Sequence, residues 1–412
     1  MKVVGIVTEY NPFHYGHLYQ IQEIKRITNA DRIVVVMSGD FVQRGTCAIL
    51  PKQERAKMAL LNSVDVVFEL PVCYATASAE FFAHGAVSLL NSLGIVDHLC
   101  FGSECGDLEL LNSIADFLMD EPNSYQKALT DYQKAGETFP KARALALIDT
   151  LQYSGVDKEH LSQVVSSPNN ILGIEYLKAL KKLNSNIKPF TILRKGAAYH
   201  SSDITEHNAS ATAIRAQLTT TPKDLMVLQV PEACKEILST SYQRVTPMIM
   251  DDFSTLLYYQ LTQRKDQLSI YQDVSSDFAC RVVNLLAPGL SYTEFAQALK
   301  TKQWTLTRVY RSLLHILLQL TQEDFLLFYE NQTMYARLLG FRKESSDLLR
   351  KIQKQEGLPI ITKVANAKRQ LNDIEYKMFC QNLDASHLYQ QVIFSKFQTK
   401  CKDEYSVGPI IL

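Results

Sequence analysis

Short apolar runs alternate with longer helical patterns over the first half of the chain. The apolar runs are rich in β-branched residues and predict five strands: Val3–Val7, Arg32–Met37, Val64–Phe68, Ile95–Phe101 and Pro189–Leu193. The segments between them have apolar positions at helical spacing and predict helices: Gly16–Thr28, Gln53–Leu61, Ala79–Leu93 and Asn170–Leu183. Such alternation predicts a parallel sheet with right-handed crossovers, and therefore an α/β, Rossmann-like fold.

The second half of the chain has a different pattern. After about residue 220, strand-like runs become rare and helical spacing dominates. The predicted helices are Asp252–Gln263, Asp277–Leu286, Tyr292–Leu299, Leu306–Leu320 and Glu323–Leu339. The pattern changes near Pro222–Pro231, and 412 residues are long for one domain. We therefore expect a Rossmann-like domain at residues 1–225 and a mainly α-helical domain at residues 226–412.

Composition narrows the class of protein. The 43 basic and 43 acidic residues give no net charge, so no global field favours a polyanionic partner. The eight cysteines form no C-x-x-C pair, which favours reduced thiols in a cytoplasmic protein over a disulfide framework or a zinc site. The N-terminus does not have the pattern of a signal peptide, and no apolar run is long enough to cross a bilayer. We therefore expect no membrane partner, and the composition does not indicate the oligomeric state.

Charge is unevenly distributed along the chain. Residues 337–402 contain 13 basic and 6 acidic residues, a net charge of +7, whereas residues 1–336 have a net charge of −5. Aromatic residues are interleaved with these cations. The pattern is compatible with a surface that binds nucleic acid, and equally with a solvated helical face over an ordinary core.

The junction between the first strand and the first helix carries His14-x-Gly16-His17. A helix N-terminus at the end of a strand presents free N–H groups and a positive dipole, which favour an anion. His14 and His17 could donate hydrogen bonds to the α- and β-phosphates of a nucleotide, and Gly16 allows close approach. The alternative is a buried strand, a turn glycine and two incidental histidines. A metal site is disfavoured because the nearby acids are not spaced as further ligands.

Charged residues follow the second strand, where ligands bind in open parallel sheets. Asp40 could hold Mg²⁺ or orient substrate, and Arg44 could bind a phosphate or carboxylate. An ion pair between them is the alternative. Lys52 and Arg55 begin the next helix, where they could contact a triphosphate or be solvated residues of a first turn.

Polar groups also follow the fourth strand. Gly102 suits a close approach of adenosine to the backbone, and Glu104 could contact a ribose or a metal, or be an ordinary surface acid. Asn169 and Asn170 begin a later helix, where their amides could read an adenine or a ribose beyond any capping role.

A last group of polar residues follows the fifth strand. Arg194 and Lys195 are at the strand end, and Ser210 and Thr212 open a helix with Arg215 one turn further on. Hydroxyl and N–H groups at such a start can form a second phosphate cradle, and a simple serine N-cap is the alternative.

Taken together, the ordered motifs resemble the bacterial tRNA(Met) cytidine acetate ligase family. The motifs that carry the resemblance are Glu9–His17, Met37–Gly45, Glu69–Pro71, Ser78–Val87, Cys100–Glu104, Pro168–Tyr176 and Ser210–Arg215. They span residues 1–220. The family often has an acid before the lysine that corresponds to Lys52, where this chain has Pro51. Lys195-Gly196 also replaces a more usual apolar-Gly pair.

The resemblance implies a reaction and its substrates. Acetate would attack the α-phosphate of ATP to give acetyl-adenylate and pyrophosphate, with Mg²⁺ as an expected companion of ATP. The acetyl group would then pass to N4 of the wobble cytidine of elongator tRNA(Met), giving N4-acetylcytidine. We expect His14, His17, Asp40 and Arg194 to act in catalysis. The expected ATP-binding residues are Val7, Thr8, Glu9, Tyr10, Asn11, Pro12, Phe13, His14, Tyr15, Gly16, His17, Leu18, Tyr19, Gln20, Gly102, Asn169, Arg194, Lys195, Ser210 and Thr212.

Two other functions fit the same residues. One is a cofactor-type nucleotidyltransferase that joins AMP to a small phosphorylated substrate. The other is an RNA-binding protein with a vestigial nucleotide site.

Overall fold

A twisted sheet of eight strands forms the centre of the molecule. The computed structural model describes residues 1–151, 157–194, 210–220, 228–354 and 358–412. Within these residues the strands, in chain order, are β1 Val3–Thr8, β2 Arg32–Ser38, β3 Phe41–Val42, β4 Thr46–Cys47, β5 Val66–Leu70, β6 His98–Ser103, β7 Lys188–Leu193, β8 Ala336–Phe341, β9 Ile360–Ile361 and β10 Ile410–Ile411. Strands β3 and β4 form a separate hairpin.

Helices cover both faces of the sheet and build most of the second half. Those of the first half are α1 Tyr15–Thr28, α2 Lys52–Leu61, α3 Val72–Ala75, α4 Ala79–Ser92, α5 Leu108–Asp120, α6 Asn123–Lys134, α7 Phe139–Leu151, α8 Lys158–Ser166, α9 Pro168–Lys182 and α10 Ala211–Thr219. Those of the second half are α11 Glu232–Ser241, α12 Ser254–Arg264, α13 Ser276–Leu285, α14 Tyr292–Leu299, α15 Leu306–Leu317, α16 Gln322–Glu330, α17 Ser346–Gln353, α18 Ala367–Gln370 and α19 Asp373–Phe397.

The parallel part of the sheet has the order β5-β2-β1-β6-β7. Strand β1 is central, and the chain moves to one side of it through β2 and to the other side through β6. The carboxyl ends of β1 and β6 therefore flank a topological switch point, where open α/β sheets bind their ligands. The Rossmann-like fold predicted from the sequence is confirmed, and the five predicted strands correspond to β1, β2, β5, β6 and β7.

The second half of the chain also contributes to this sheet. Strand β8 pairs antiparallel with β5, and β9 and β10 pair with β8. The prediction of one helix over Glu323–Leu339 is therefore wrong, because α16 ends at Glu330 and the chain turns into β8. Periodicity alone cannot separate a short buried apolar run in a strand from one in a helix. Strands from both sides of the predicted boundary at residue 225 share one sheet.

Three apolar clusters stabilise this arrangement. One packs beneath α4, α5 and α9 on one face of the sheet, and a second packs beneath α1, α2, α10 and α11 on the other. The third lies among α12 to α15 and extends to Tyr389 on α19 and Phe41 on β3. The long helix α19 therefore connects the helical half of the molecule to the sheet.

Two expectations from composition can be compared with the structure. All eight cysteines are free thiols. Among the described residues, no helix combines the length and apolar character needed to cross a bilayer.

Candidate active site

The two histidines of the first motif cap helix α1. His14 is the N-cap residue, and its Nδ1 accepts a hydrogen bond from the Gly16 N–H at 3.0 Å. His17 Nδ1 accepts from the backbone N–H of His14 at 3.3 Å, so the two rings together form a capping box. The rings stack with centroids 3.9 Å apart. A Cβ at residue 16 would lie 2.8 Å from Cε1 of His14, which explains the glycine between them.

Burial and the capping geometry together set the charge and the tautomer of both imidazoles. Burial and, to a smaller extent, Arg194 and Arg215 together lower the pKa of His14 to about 3. Burial, His14 and Arg194 together hold the pKa of His17 well below its usual value. Both rings are therefore neutral at pH 7. Because each Nδ1 accepts a backbone N–H, each ring carries its proton on Nε2 and offers that N–H as a donor.

Two aromatic side chains, Tyr10 and Phe13, pack against the ring of His17. The Tyr10 ring meets the His17 ring edge-on, with centroids 4.8 Å apart, and Phe13 packs against both. Tyr10 and Phe13 are buried. Asn11 is also buried: its Oδ1 accepts the N–H of Ile49 at 2.8 Å and so ties the loop to the segment that follows β4. The loop is therefore held on several sides before any ligand binds.

Arginines from separate elements converge on this loop. Arg194 follows β7, and Arg215 on α10 donates to the carbonyl of Asn11 at 2.7 Å. Burial lowers the pKa of Arg215; Glu9 raises it, and the proximity of Arg44 lowers it. Arg194 and Arg215 thus bring positive charge to the N-terminus of α1, where the helix dipole has the same sign.

A carboxylate organises the neighbouring helix start after β6. Glu104 accepts from the N–H of Asn169 at 3.3 Å, from the Asn169 Nδ2 at 2.6 Å and from the N–H of Asn170 at 2.9 Å. The side-chain oxygen of the same asparagine, Asn169 Oδ1, lies 3.5 Å from Nη1 of Arg194. Glu104 is therefore a helix cap that also orients Asn169 and, through it, Arg194. This role was not among those expected for Glu104.

Asn170 and Gly102 complete the local support. The buried Oδ1 of Asn170 accepts from the N–H groups of Glu104 and Cys105, so Asn170 holds the loop and is not presented to a ligand. A Cβ at Gly102 would lie 3.1 Å from Cγ of Arg194. The glycine therefore leaves room for the arginine side chain beside β6.

The other expected ATP-binding residues are distributed around the loop. Val7 and Thr8 end β1, Glu9 and Pro12 are in the turn, and four more are on the first two turns of α1: Tyr15, Leu18, Tyr19 and Gln20. Ser210 is the N-cap of α10, and its hydroxyl accepts the N–H of Ala213 at 3.2 Å. The hydroxyl of Thr212 accepts from Arg215 at 3.0 Å. Lys195 is outside the described residues.

Asp40 is placed differently from the expectation. Its carboxylate is buried, accepts the backbone N–H of Lys52 at 2.9 Å and lies 3.8 Å from the Lys52 ammonium. The side chain therefore caps α2 and joins a buried group of charges. The structure does not present Asp40 to the imidazoles as a free carboxylate, and its catalytic role remains a prediction that this geometry does not support.

This buried ion cluster consists of Asp40, Lys52, Glu69, Arg337 and Glu404. The Lys52 ammonium is fully buried and lies 2.9 Å from Glu69 and 3.5 Å from Glu404. Arg337 pairs with Glu69 at 3.3 Å and with Glu404. Lys52 and Arg337 hold the pKa of Glu404 down, at about 2, against the effect of burial.

Arg55, one turn beyond Lys52, is also fully buried. Its guanidinium donates to the carbonyls of Glu9, Ser38, Gly39 and Leu50. Neither alternative drawn from the sequence for Lys52 and Arg55 is correct, since these cations are neither solvated nor available to a triphosphate. They connect α2 to the ends of the strands.

Comparisons with known proteins agree with this geometry. The profile of the HIGH nucleotidyl transferase family matches residues 1–404. A tRNA(Met) cytidine acetate ligase of Thermoanaerobacter sp. (strain X514) is 42% identical over 94% of this chain and 95% of its own length. Another from Clostridium perfringens (strain SM101 / Type A) is 39% identical, and the match covers 100% of both chains.

Solved structures from Thermotoga maritima are similar over the whole chain. The apo form of TmcAL superposes with a TM-score of 0.94 at 32% identity, and TmcAL bound with alpha-thio ATP superposes with a TM-score of 0.91 at 31% identity. Both cover 100% of each chain. The chain belongs to the HIGH nucleotidyl transferase family and, within it, to the tRNA(Met) cytidine acetate ligases. The resemblance drawn from the motifs is confirmed.

Proposed function

We propose that this chain is an ATP-dependent ligase that joins acetate to N4 of the wobble cytidine of elongator tRNA(Met). The observation that carries the proposal is the pair of neutral imidazoles whose Nε2–H donors and neighbouring arginines meet at the switch point of the sheet. This arrangement suits a bound triphosphate. The relative from Thermotoga maritima with the same fold is bound with alpha-thio ATP.

The first step is adenylation of acetate. A carboxylate oxygen of acetate attacks the α-phosphorus of ATP, and the bond from that phosphorus to the oxygen of the β-phosphate breaks. Negative charge grows on the phosphate oxygens in the transition state. Donors fixed in advance stabilise that charge more than mobile water does, and this is the role we assign to His14, His17, Arg194 and Arg215.

The second step transfers the acetyl group. The N4 amino group of cytidine attacks the acetyl carbon, the bond to the adenylate oxygen breaks, AMP leaves and the nitrogen loses a proton. Neither step requires a nucleophile from the protein, since both depend on positioning and charge stabilisation. The capping of α9 by Glu104 keeps Asn169 and Arg194 in place for these steps.

The described residues do not form a metal site made of protein ligands alone. No group of three or more His, Cys, Asp or Glu among them could hold a metal ion. The expected ligand Asp40 is engaged with Lys52.

Pyrophosphate exchange tests the proposed function. The purified protein should exchange label between pyrophosphate and ATP when acetate is present, without tRNA. Added tRNA(Met) should then yield AMP and N4-acetylcytidine, detected by mass spectrometry of nucleosides. Exchange stimulated by phosphopantetheine or nicotinamide mononucleotide instead of acetate would establish a cofactor-type nucleotidyltransferase. Absence of exchange and of AMP with all substrates present would indicate a vestigial site.

A further inference from the structure

Helix α19 crosses the carboxyl edge of the sheet and buries one face there. Asn382 Oδ1 accepts the N–H of Val72 at 2.5 Å, just after β5. Further along the helix, the buried hydroxyl of Tyr389 donates to the carbonyl of Ala48 at 2.8 Å. The buried face therefore fixes the helix above the ends of β5 and the β4 hairpin, and its other face is turned away from the sheet.

Three rings lie on that outer face: Tyr376 and His387 on α19 and Tyr405 on the C-terminal segment. We call them the aromatic platform. The rings of His387 and Tyr405 stack with centroids 6.5 Å apart and an interplanar angle of 21°. Tyr376 lies eleven residues before His387, about three helical turns, and so on the same side of α19. Tyr405 is 54% exposed although it is a large aromatic residue.

One exposed cation lies beside the platform, and three more are close to its residues along the chain. The Lys368 ammonium lies 6.0 Å from the centroid of the Tyr376 ring. Arg369, Lys400 and Lys402 are exposed as well, and within the described residues none of these four cations forms an ion pair with a carboxylate. Acids are also close by: Asp373 and Glu375 lie in the first turn of α19 with Tyr376, Asp384 is near Cys380, and Asp403 lies 3.7 Å from His387.

Some other cations of the same basic stretch are paired. Arg337 is in the buried ion cluster, Lys377 pairs with Asp324, and Lys396 pairs with Asp252 at 2.8 Å. Among the described residues, five further cations of the stretch are exposed without an ion pair, namely Lys343, Arg350, Lys351, Lys354 and Lys363, so the rings rather than the charge distinguish the platform.

The platform is on the same edge of the sheet as the imidazoles. Three strand-to-strand steps separate Thr8, at the end of β1, from Arg337 at the start of β8. At ~4.8 Å per step, this distance is roughly 14 Å. Arg337 pairs with Glu404, and Tyr405 is the next residue. The platform and the histidine loop are therefore on the same edge of the sheet, a few strands apart.

We propose that the aromatic platform stacks unpaired bases of the anticodon loop while its lysines and arginine contact the phosphates on either side. The inference rests on the proposed function and adds the surface that holds the RNA substrate. Single-stranded RNA is recognised by aromatic rings on which bases stack and by cations that follow its backbone. The platform combines both, and its place at the sheet edge lets the acceptor cytidine reach the acetyl-adenylate.

The test compares Tyr405→Ala with Tyr405→Phe. A matched control is Tyr259→Ala on α12, which removes a ring that is 61% exposed elsewhere. Each full-length variant is titrated with unmodified tRNA(Met), and acetate-dependent pyrophosphate exchange is measured without RNA. Tyr405→Ala should weaken tRNA binding about tenfold or more, the scale for losing one stacking partner. Tyr405→Phe and Tyr259→Ala should bind within about twofold of the unchanged protein, and exchange should be equal in all.

The outcomes separate this inference from the proposed function. If the unchanged protein shows no acetate-dependent exchange, the proposed function fails. If it exchanges and acetylates tRNA but Tyr405→Ala binds tRNA equally well, the platform is overturned while the function stands. A loss of exchange in Tyr405→Ala matching its loss of tRNA binding would also overturn the platform, because the ring would then support the fold.

Discussion

Two groups of charged or polar residues are built at the carboxyl edge of the sheet, and both use cations. One is the proposed phosphate site, formed by His14, His17, Arg194 and Arg215, and the other is the buried ion cluster. In the buried ion cluster, Lys52 and Arg337 are enclosed with three carboxylates. At the phosphate site, Arg194 and Arg215 lie beside neutral imidazoles. Two acids are nearby: Glu9 lies near Arg215, and Glu104 accepts three hydrogen bonds from the start of α9.

The difference shows that neighbours, more than residue type, decide what a cation does. A lysine enclosed with carboxylates is already compensated and holds elements together. Arginines that surround neutral donors and a helix N-terminus retain a field that an anion can satisfy. Ligand binding therefore depends on where the fold leaves positive charge without a partner of its own.

The largest expected effect is on the buried ion cluster. Lys52→Met should lower the free energy of unfolding by about 3–5 kcal/mol, because removing one partner leaves buried carboxylates uncompensated. Urea denaturation would measure it. Lys57→Met, an exposed lysine on the same helix, is the control and should change stability by less than about 0.5 kcal/mol. Equal stability of the two variants would show that the cluster contributes little to the fold.

The next effect is on the phosphate site. His17→Ala should lower the rate of acetate-dependent pyrophosphate exchange by about 10²–10³-fold, the scale for losing one transition-state donor. His160→Ala, an exposed histidine on α8, should exchange like the unchanged protein. A His17→Ala variant with full exchange would remove this imidazole from the mechanism.

A substitution of Glu104 should affect both the stability of the fold and the proposed phosphate site. Glu104→Ala should destabilise the protein by about 1–2 kcal/mol through the lost cap on α9 and should also raise the KM for ATP, since Asn169 and Arg194 lose their support. Exposed Glu109 on α5 provides the control as Glu109→Ala. A change in stability with an unaltered KM would leave Glu104 a purely structural cap.

A last effect, similar in size to that of Glu104, is on the pH dependence of stability. The pKa of His14 is about 3 in the folded protein and near 6.5 in the unfolded chain, so the unfolded state binds the proton first as pH falls. The stability that depends on neutral His14 is fully present above pH 6.5, and it decreases by about 1.4 kcal/mol per pH unit below that pH. His14→Asn keeps an N-cap residue and should make the fall in stability between pH 6.5 and 5 less steep. Identical slopes would mean that His14 is not held neutral by the fold.

The sequence was sufficient to predict the parallel strands and the histidine loop. Each depends on local signals: continuous β-branched runs for the strands, and a glycine between histidines at a strand end for the loop. Strand β8 was missed because its apolar run follows helix α16 too closely for periodicity to separate them.

Long-range contacts could not be foreseen. Lys52 meets Glu404 from a segment about 350 residues away, and no local pattern reports such a pairing. Arg215 was part of a recognised motif, but its contact with Asn11 depends on how α10 folds back onto the loop. Glu104 resembled a surface acid until α9 was placed beside it.

A crystal structure with a non-hydrolysable ATP analogue tests the central claim most directly. The account predicts that Nε2 of His14 and of His17 lies within hydrogen-bonding distance of phosphate oxygens, with the guanidinium groups of Arg194 and Arg215 on the same triphosphate. Phosphates bound away from the N-terminus of α1, with both imidazoles facing no ligand, would contradict it.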